Sequence, residues 1–282
     1  MPIKAVQQIM LGKVTSNEKQ AKETLAKIKE AGYTGIELCG FMIHKTPFIV
    51  RVLTKMAGMP TGNGGKLDWH ALLSESGLKV TSIHTDLGSI ERDVHAVAEE
   101  VKSFGTKYAV ITGMYRFDYS NSDNVHSLAK RLNASGETLK NEGISLLYHN
   151  HNCELLKCDG KTAYDILIDE TSSENINFEF DSYWFAEAGA DPLSYMKKLG
   201  SRMKMYHIND RGFRPSGKTM TPILQSDSME LGYGNMPLDT LINQALEANV
   251  EAVILESHKN HIDGDPVKSL SLSAEFLNGR IK

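Results

Sequence analysis

The chain has 282 residues, 41% hydrophobic and 23% charged, with a formal net charge of -4. That length suits one large domain and leaves room for a (β/α)8 barrel, which takes about 250 residues. The acidic balance and the lack of a Lys/Arg stripe argue against a nucleic-acid partner, and no stretch approaches the roughly 20 apolar residues of a membrane span.

Met1, Pro2, Ile3 and Lys4 lead straight into a short apolar run without a small-residue cleavage site, so no signal peptide is expected. Residues 5–10 read as an opening strand. Residues 17–31 read as an amphipathic helix with Leu25 and Ile28 on its apolar face. Gly32 stops it, because glycine just past a helix takes the left-handed conformation that satisfies the last carbonyls. Residues 36–38 read as the second strand. The rhythm then repeats: Gly77 precedes a strand at 79–84, Gly105 one at 108–111, Gly143 one at 144–148, Asn175 one at 176–181, Gly200 one at 203–208, and Asn249 one at 250–256.

Helical segments alternating with short apolar strands imply a parallel sheet. Eight such units favour a closed (β/α)8 TIM barrel over an open doubly wound sheet, which would carry G-x-G-x-x-G after its first strand. The expected organisation is a single domain over residues 1–282 with two long loops, about 41–69 and 211–236. The first is expected to be partly helical and to cover the barrel mouth; the second contains Arg214, Pro215, Ser216, Gly217 and Lys218. Both follow strand ends, the face on which such barrels carry their active sites. Glu230, Leu231, Gly232, Tyr233 and Gly234 read as a turn into a helix near Pro237. Three irregularly spaced cysteines, Cys39, Cys153 and Cys158, argue against a disulfide framework and fit a reducing, cytoplasmic setting.

The strand ends carry the chemistry. Asp181, His207 and Glu256 each close a predicted strand in three successive units, and a barrel brings those ends together. Singly, each reads as a cap or local hydrogen-bond partner; jointly, carboxylates and imidazole suit one divalent cation such as Mn, Mg, Co or Zn. His149, His151 and Glu154 close the fifth strand, with both histidines on one face by alternation. One of these three is expected to be the remaining ligand and another a proton-transfer group. Glu154 is favoured as ligand because Mg and Mn prefer oxygen, and His149 as base; His151 reads equally as catalytic or as a partner that orients a ligand. Glu37 and His84 could bind substrate hydroxyls or simply cap their strands. Trp184 could stack on a sugar face or merely pack. Arg211 could bind a substrate oxygen or pair with a rim carboxylate, and Arg211, Arg214 and Lys218 together could form an anion site.

Tyr148, His149, Asn150, His151 and Glu154, with Asp181, Ser182, Tyr183 and Trp184, His207, Ile208, Asn209 and Asp210, Leu231-Gly232-x-Gly234 and the final Glu256, resemble the xylose isomerase-like superfamily of sugar isomerases and epimerases. The resemblance runs from Gly35, Ile36, Glu37 and Leu38 onward. It implies a (β/α)8 barrel with one divalent metal, often Mn, held by Asp181, His207, Glu256 and, by carry-over, Glu154. Many members have a glutamate in the fifth strand where this chain has His149 and His151, and a lysine where it has Asn209. The branch with a histidine-rich fifth strand resembles enzymes acting on keto-sugars, keto-glycosides and inositol-derived ketones.

The expected function is therefore a divalent-metal-dependent isomerase or epimerase acting on a ketose or keto-sugar through an enediolate. The alternative is a lyase or dehydratase that eliminates water or an aglycone. The expected partner is a small carbohydrate, with neither nucleic acid nor membrane. Pairing of two barrels through 41–69 is an expectation from analogy.

Overall fold

The computed structural model describes residues 1–45, 65–114, 116–214 and 221–282. Eight strands carry the fold: β1 (Ile3–Gln7), β2 (Gly35–Cys39), β3 (Lys79–Thr85), β4 (Tyr108–Thr112), β5 (Ser145–His149), β6 (Ile176–Asp181), β7 (Met203–Ile208) and β8 (Ala252–Leu255). They form a closed barrel in the order β1-β8-β7-β6-β5-β4-β3-β2, and the pairings run parallel, as in β1–β2, β3–β4, β4–β5, β5–β6 and β6–β7. The connecting helices are α1 (Glu18–Ala31), α2 (Trp69–Ser76), α3 (Val94–Ser103), α4 (Ser122–Asn141), α5 (Ala163–Glu170), α6 (Pro192–Leu199), α7 (Leu238–Glu247) and α8 (Pro266–Asn278).

By backbone proximity the residues group into two compact units, one of 1–79, 208–243 and 253–282, the other of 80–207 and 244–252. The first carries β1, β2 and β8 and buries Leu25 and Ile28 of α1, Ile36 of β2, and Leu270 and Leu277 of α8. The second carries most of β3 through β7 and buries Leu128 and Leu132 of α4, Leu147 of β5, and Phe178 and Phe180 of β6.

Local signals explain the element ends. The Asn17 side chain accepts the Gln20 N–H (3.0 Å) at the start of α1, and Gly32 ends it at φ 105°, where an L side chain would be strained. The opening strand is shorter than residues 5–10: the Gln7 side chain accepts the Ile9 N–H and turns the chain into a 3-10 helix at Gln8–Leu11. The last strand is likewise narrower than 250–256. The insertion expected over 41–69 begins with a helical turn at Gly40–Ile43, and Trp69 already belongs to α2. Its remainder, residues 46–64, lies outside the described residues, as do 215–220 with Lys218. The loop expected over 211–236 contains an antiparallel ribbon, Asp210–Gly212 against Asp227–Met229. Cys39, Cys153 and Cys158 form no disulfide with one another. Among the described residues no helix is long and apolar enough to cross a membrane.

Candidate active site

Strand alternation decides which side chains meet. On β6, Phe178 and Phe180 point outward, where Tyr164 of α5 meets their rings at centroid distances of 5.6 and 6.4 Å. Burying these aromatic faces fixes the strand, so Glu179 and Asp181 point the other way, into the barrel. On β5 the outward Tyr148 likewise leaves His149 facing inward. Register places His149 beside Glu179 and Asp181 beside His207.

Three imidazoles converge on one carboxylate. Glu179 Oε1 lies 3.0 Å from His84 Nε2, 3.2 Å from His149 Nδ1 and 3.1 Å from His207 Nε2. The rings of His149 and His207 stand 4.6 Å apart, and those of His84 and His149 5.4 Å apart. All four residues are buried. Burial alone would raise the Glu179 carboxyl; the neighbouring His207, His84 and His149 imidazoles outweigh it and hold the group well below the usual carboxylate range. Glu179 Oε2 is buried with no hydrogen-bond partner among the described residues.

Two overlapping groups offer ligand atoms that all lie within 4.8 Å of one another: His84, His149, Glu179 and His207; and His149, Asp181, His207 and Glu256. Two donors at about 2.1 Å from a common ion are at most about 4.2 Å apart, so either group is near the spacing a cation requires. The orphaned Glu179 oxygen and the mixed imidazole–carboxylate donors fit a divalent metal. Asp181 Oδ1 caps the helix Ser182–Glu187, accepting from Tyr183 N–H (2.7 Å) and Trp184 N–H (3.3 Å). Glu256 Oε1 lies 2.6 Å from His258 Nε2.

The structure thus brings together Asp181, His207, Glu256, His149 and His84 of the residues expected from sequence. Glu154 stands outside both groups and accepts hydrogen bonds from Tyr148, from the His151 backbone and from Cys153. His151 is half-buried, with its ring 5.5 Å from Trp184 and 5.1 Å from His149. Glu37 is buried on β2 in register with Gln7, and Arg211 lies on the ribbon; neither belongs to a ligand group.

Sequence reasoning missed Glu179, although its place two residues before Asp181 on one strand put both on the same face. It named Asn150 within the fifth-strand motif but gave it no role. The amide of Asn150 ties the end of β5 to β6, donating to Asp181 O (2.9 Å) and accepting from Asp181 N–H (3.0 Å).

The glycine turn also has a partner that sequence did not supply. Asp210 accepts from the N–H groups of Gly232 (3.0 Å), Gly234 (2.9 Å) and Met236 (3.1 Å). A Cβ at Gly234 would stand 2.3 Å from Asp210 Oδ1, so only glycine fits there. Arg214 is engaged within the fold: its Nη2 donates to Glu230 Oε2 (2.7 Å) and Asn260 O (2.9 Å). Glu230 Oε1 accepts from Ser269 Oγ (2.6 Å) and Ile262 N–H (2.9 Å). Burial raises the Glu230 carboxyl, but the bonds from Ser269 and Arg214 prevail and leave it below its ordinary 4.5. Its stabilising contribution is therefore complete above about pH 4.5 and is lost as pH falls through the lower folded value. Arg214→Ala should cost about 1–3 kcal/mol at pH 7, read by urea unfolding, with the deficit shrinking below pH 4 as Glu230 protonates. An equal deficit at both pH values would refute this account.

A closed parallel barrel whose strand ends gather buried imidazoles and carboxylates is the architecture of an enzyme. The chain belongs to the xylose isomerase-like TIM barrel family, whose model matches residues 25–279. It is similar to the inosose dehydratase of Clostridium perfringens (strain ATCC 13124), 26% identical over 200 residues, which are 68% of this chain and 64% of that protein. A shorter match, 32% identical over 92 residues (33% of this chain, 30% of that protein), is to the inosose dehydratase of Mesomycoplasma hyopneumoniae strain 7448. The chain thus spans less than two thirds of these curated relatives. Among solved structures, a sugar phosphate isomerase/epimerase from Parabacteroides distasonis superposes with TM-score 0.78 at 18% identity, covering 100% of this chain and 95% of that one. The IOLI protein with a binding zinc atom superposes with TM-score 0.67 at 15% identity, covering 99% and 98%. At these identities the superpositions show the shared fold.

Proposed function

We propose that this enzyme abstracts the proton next to the carbonyl of a keto-sugar or keto-cyclitol and then eliminates water or an alcohol from the β carbon. The observation that carries this reading is the convergence of His149, Asp181, His207 and Glu256 within 4.8 Å. These four would hold the cation, with His149 as the fourth ligand in place of Glu154, whose oxygens already serve three donors. A bound divalent ion supplies Lewis acidity at the ketone oxygen, which makes the neighbouring C–H acidic.

The chain's own residues do the rest. His151 is half-buried at the mouth beside Trp184, whereas Glu179 is sealed below. An imidazole nitrogen of His151 takes the proton as the C–H bond breaks and its electron pair moves to the carbonyl oxygen. As the carbonyl re-forms, that pair returns to make the double bond between the α and β carbons, the C–O bond at the β carbon breaks with its electrons leaving on oxygen, and the proton held on His151 goes to the departing oxygen. Such acid–base work contributes roughly 10²- to 10⁴-fold. Trp184 offers an apolar face to the ring, and Glu179 orients the imidazoles of His84, His149 and His207.

Elimination is favoured over reprotonation by the similarity to inosose dehydratases. The second reading, an isomerase or epimerase, is favoured by the family and by the similarity in fold to a sugar phosphate isomerase/epimerase. The two share the first step. Incubating the Mn-loaded enzyme with keto-sugars and keto-cyclitols in deuterated water should give a product lighter by one water or one alcohol. A deuterated product of otherwise unchanged mass would establish the second reading, and no exchange with any ketone would refute both.

A further inference from the structure

Glu154 is fully buried in the 3-10 turn Cys153–Leu155, and its oxygens are engaged inside the fold. Oε1 accepts from the Tyr148 hydroxyl (2.8 Å). Oε2 accepts from the His151 backbone N–H (3.0 Å) and the Cys153 thiol (3.2 Å). Tyr148 Oη also lies 2.9 Å from Tyr119 Oη, to which the Met114 N–H donates (3.0 Å).

A phenol has one proton. That of Tyr148 is committed to Glu154, so the Tyr119 proton must go to the Tyr148 oxygen, and the Tyr119 oxygen accepts from Met114. The chain of bonds therefore has one polarity, running from the segment just past β4 to the carboxylate.

A second observation places His151 against the same point. A Cβ on Gly113 would stand 3.3 Å from Tyr119 Oη, 3.4 Å from Glu154 Oε1 and 3.5 Å from His151 Nδ1. Backbone, hydroxyl, carboxylate and imidazole thus line one small space. The segment after His149 is pinned at both ends, at Asn150 by the backbone of Asp181 and at His151 by Glu154.

We propose that Glu154 is a positioning residue: anchored through Tyr148 and Tyr119 to the end of β4, it fixes the backbone that presents His151 to the site, and it is neither a metal ligand nor the proton acceptor. This deepens the proposed function and rests on His151 being the acid–base group. Carboxylates that act through a partner side chain change metal affinity or activity by roughly 10- to 100-fold, so the effect should be measurable.

The test uses Glu154→Gln, Tyr148→Phe, Tyr119→Phe and the double variant Glu154→Gln/Tyr148→Phe, each loaded with excess Mn and desalted. Glu154→Gln should keep the wild-type Mn content, while hydrogen exchange at the His151 amide quickens at least about tenfold. Its α-proton exchange should fall in kcat by roughly 10- to 100-fold with KM within about twofold. Tyr148→Phe and Tyr119→Phe should show smaller changes of the same kind. The double variant should be no more than about twofold slower than Glu154→Gln, because both changes break one network. Loss of Mn from Glu154→Gln would make it a ligand and overturn the proposal. Wild-type amide exchange, or fully multiplicative losses in the double variant, would overturn it as well. If the wild-type enzyme exchanged no proton from any ketone, the functional reading would fall, while Mn content and His151 amide exchange would still decide the role of Glu154.

Discussion

Alanine at position 207 should remove the cation and the activity together. His207 is fully buried near the end of β7 and belongs to both ligand groups, so its loss disables either arrangement. Metal analysis after desalting should find less than about a tenth of the wild-type content. Proton exchange should fall by about a thousandfold or more, because acid–base groups alone recover only part of the acceleration. Two further variants separate the groups. Glu256→Ala touches only the group at the ends of β5 to β8, and His84→Ala only the group around Glu179. The proposed assignment requires Glu256→Ala to lose the metal and His84→Ala to keep it with affinity weakened by roughly 10- to 100-fold. The reverse result would assign the ion to the Glu179 group, and retention of metal in His207→Ala would end the metal-site reading.

Glutamine at position 179 should damage both function and acid stability. Glu179 is sealed from solvent with three imidazole nitrogens 3.0 to 3.2 Å from one oxygen. The isosteric amide keeps the volume and deletes the charge that orients them, so metal affinity should weaken roughly 10- to 100-fold. The metal-free protein reports a second consequence. The folded Glu179 carboxyl titrates below its ordinary 4.5, so its contribution is present above that value and disappears as pH falls through the folded value. Wild type should exceed Glu179→Gln by about 3 kcal/mol at pH 7, and the gap should close in acid. Urea unfolding of both metal-free proteins between pH 3 and 7 measures it. A gap that stays constant across that range would show that the carboxylate is not held by its imidazole neighbours.

The strand ends were readable because each lies inside a strong local pattern. The runs closing at Asp181 and Ile208 match β6 and β7, since apolar residues bounded by Asn175 and Gly200 leave little freedom for where a strand begins. Asn17 and Gly32 likewise mark the ends of α1 by their own backbone preferences. The loop after β7 was not readable as a ribbon, because its ladder joins Asp210 to Met229 across an intervening segment with no periodicity of its own.

The chain order of apolar runs and turn residues thus determined by itself the eight-unit barrel and the placing of Asp181, His207 and Glu256 at strand ends, because hydrophobic period and glycine conformation act over a few residues. Only the tertiary structure decided what those ends do. It drew Glu179 to His84, 95 positions away, turned Glu154 toward Tyr148 and Tyr119, and spent Arg214 on Glu230. A polar side chain's role is set by which donors lie within about 3 Å of it once the strands are in register, and local sequence does not encode that distance.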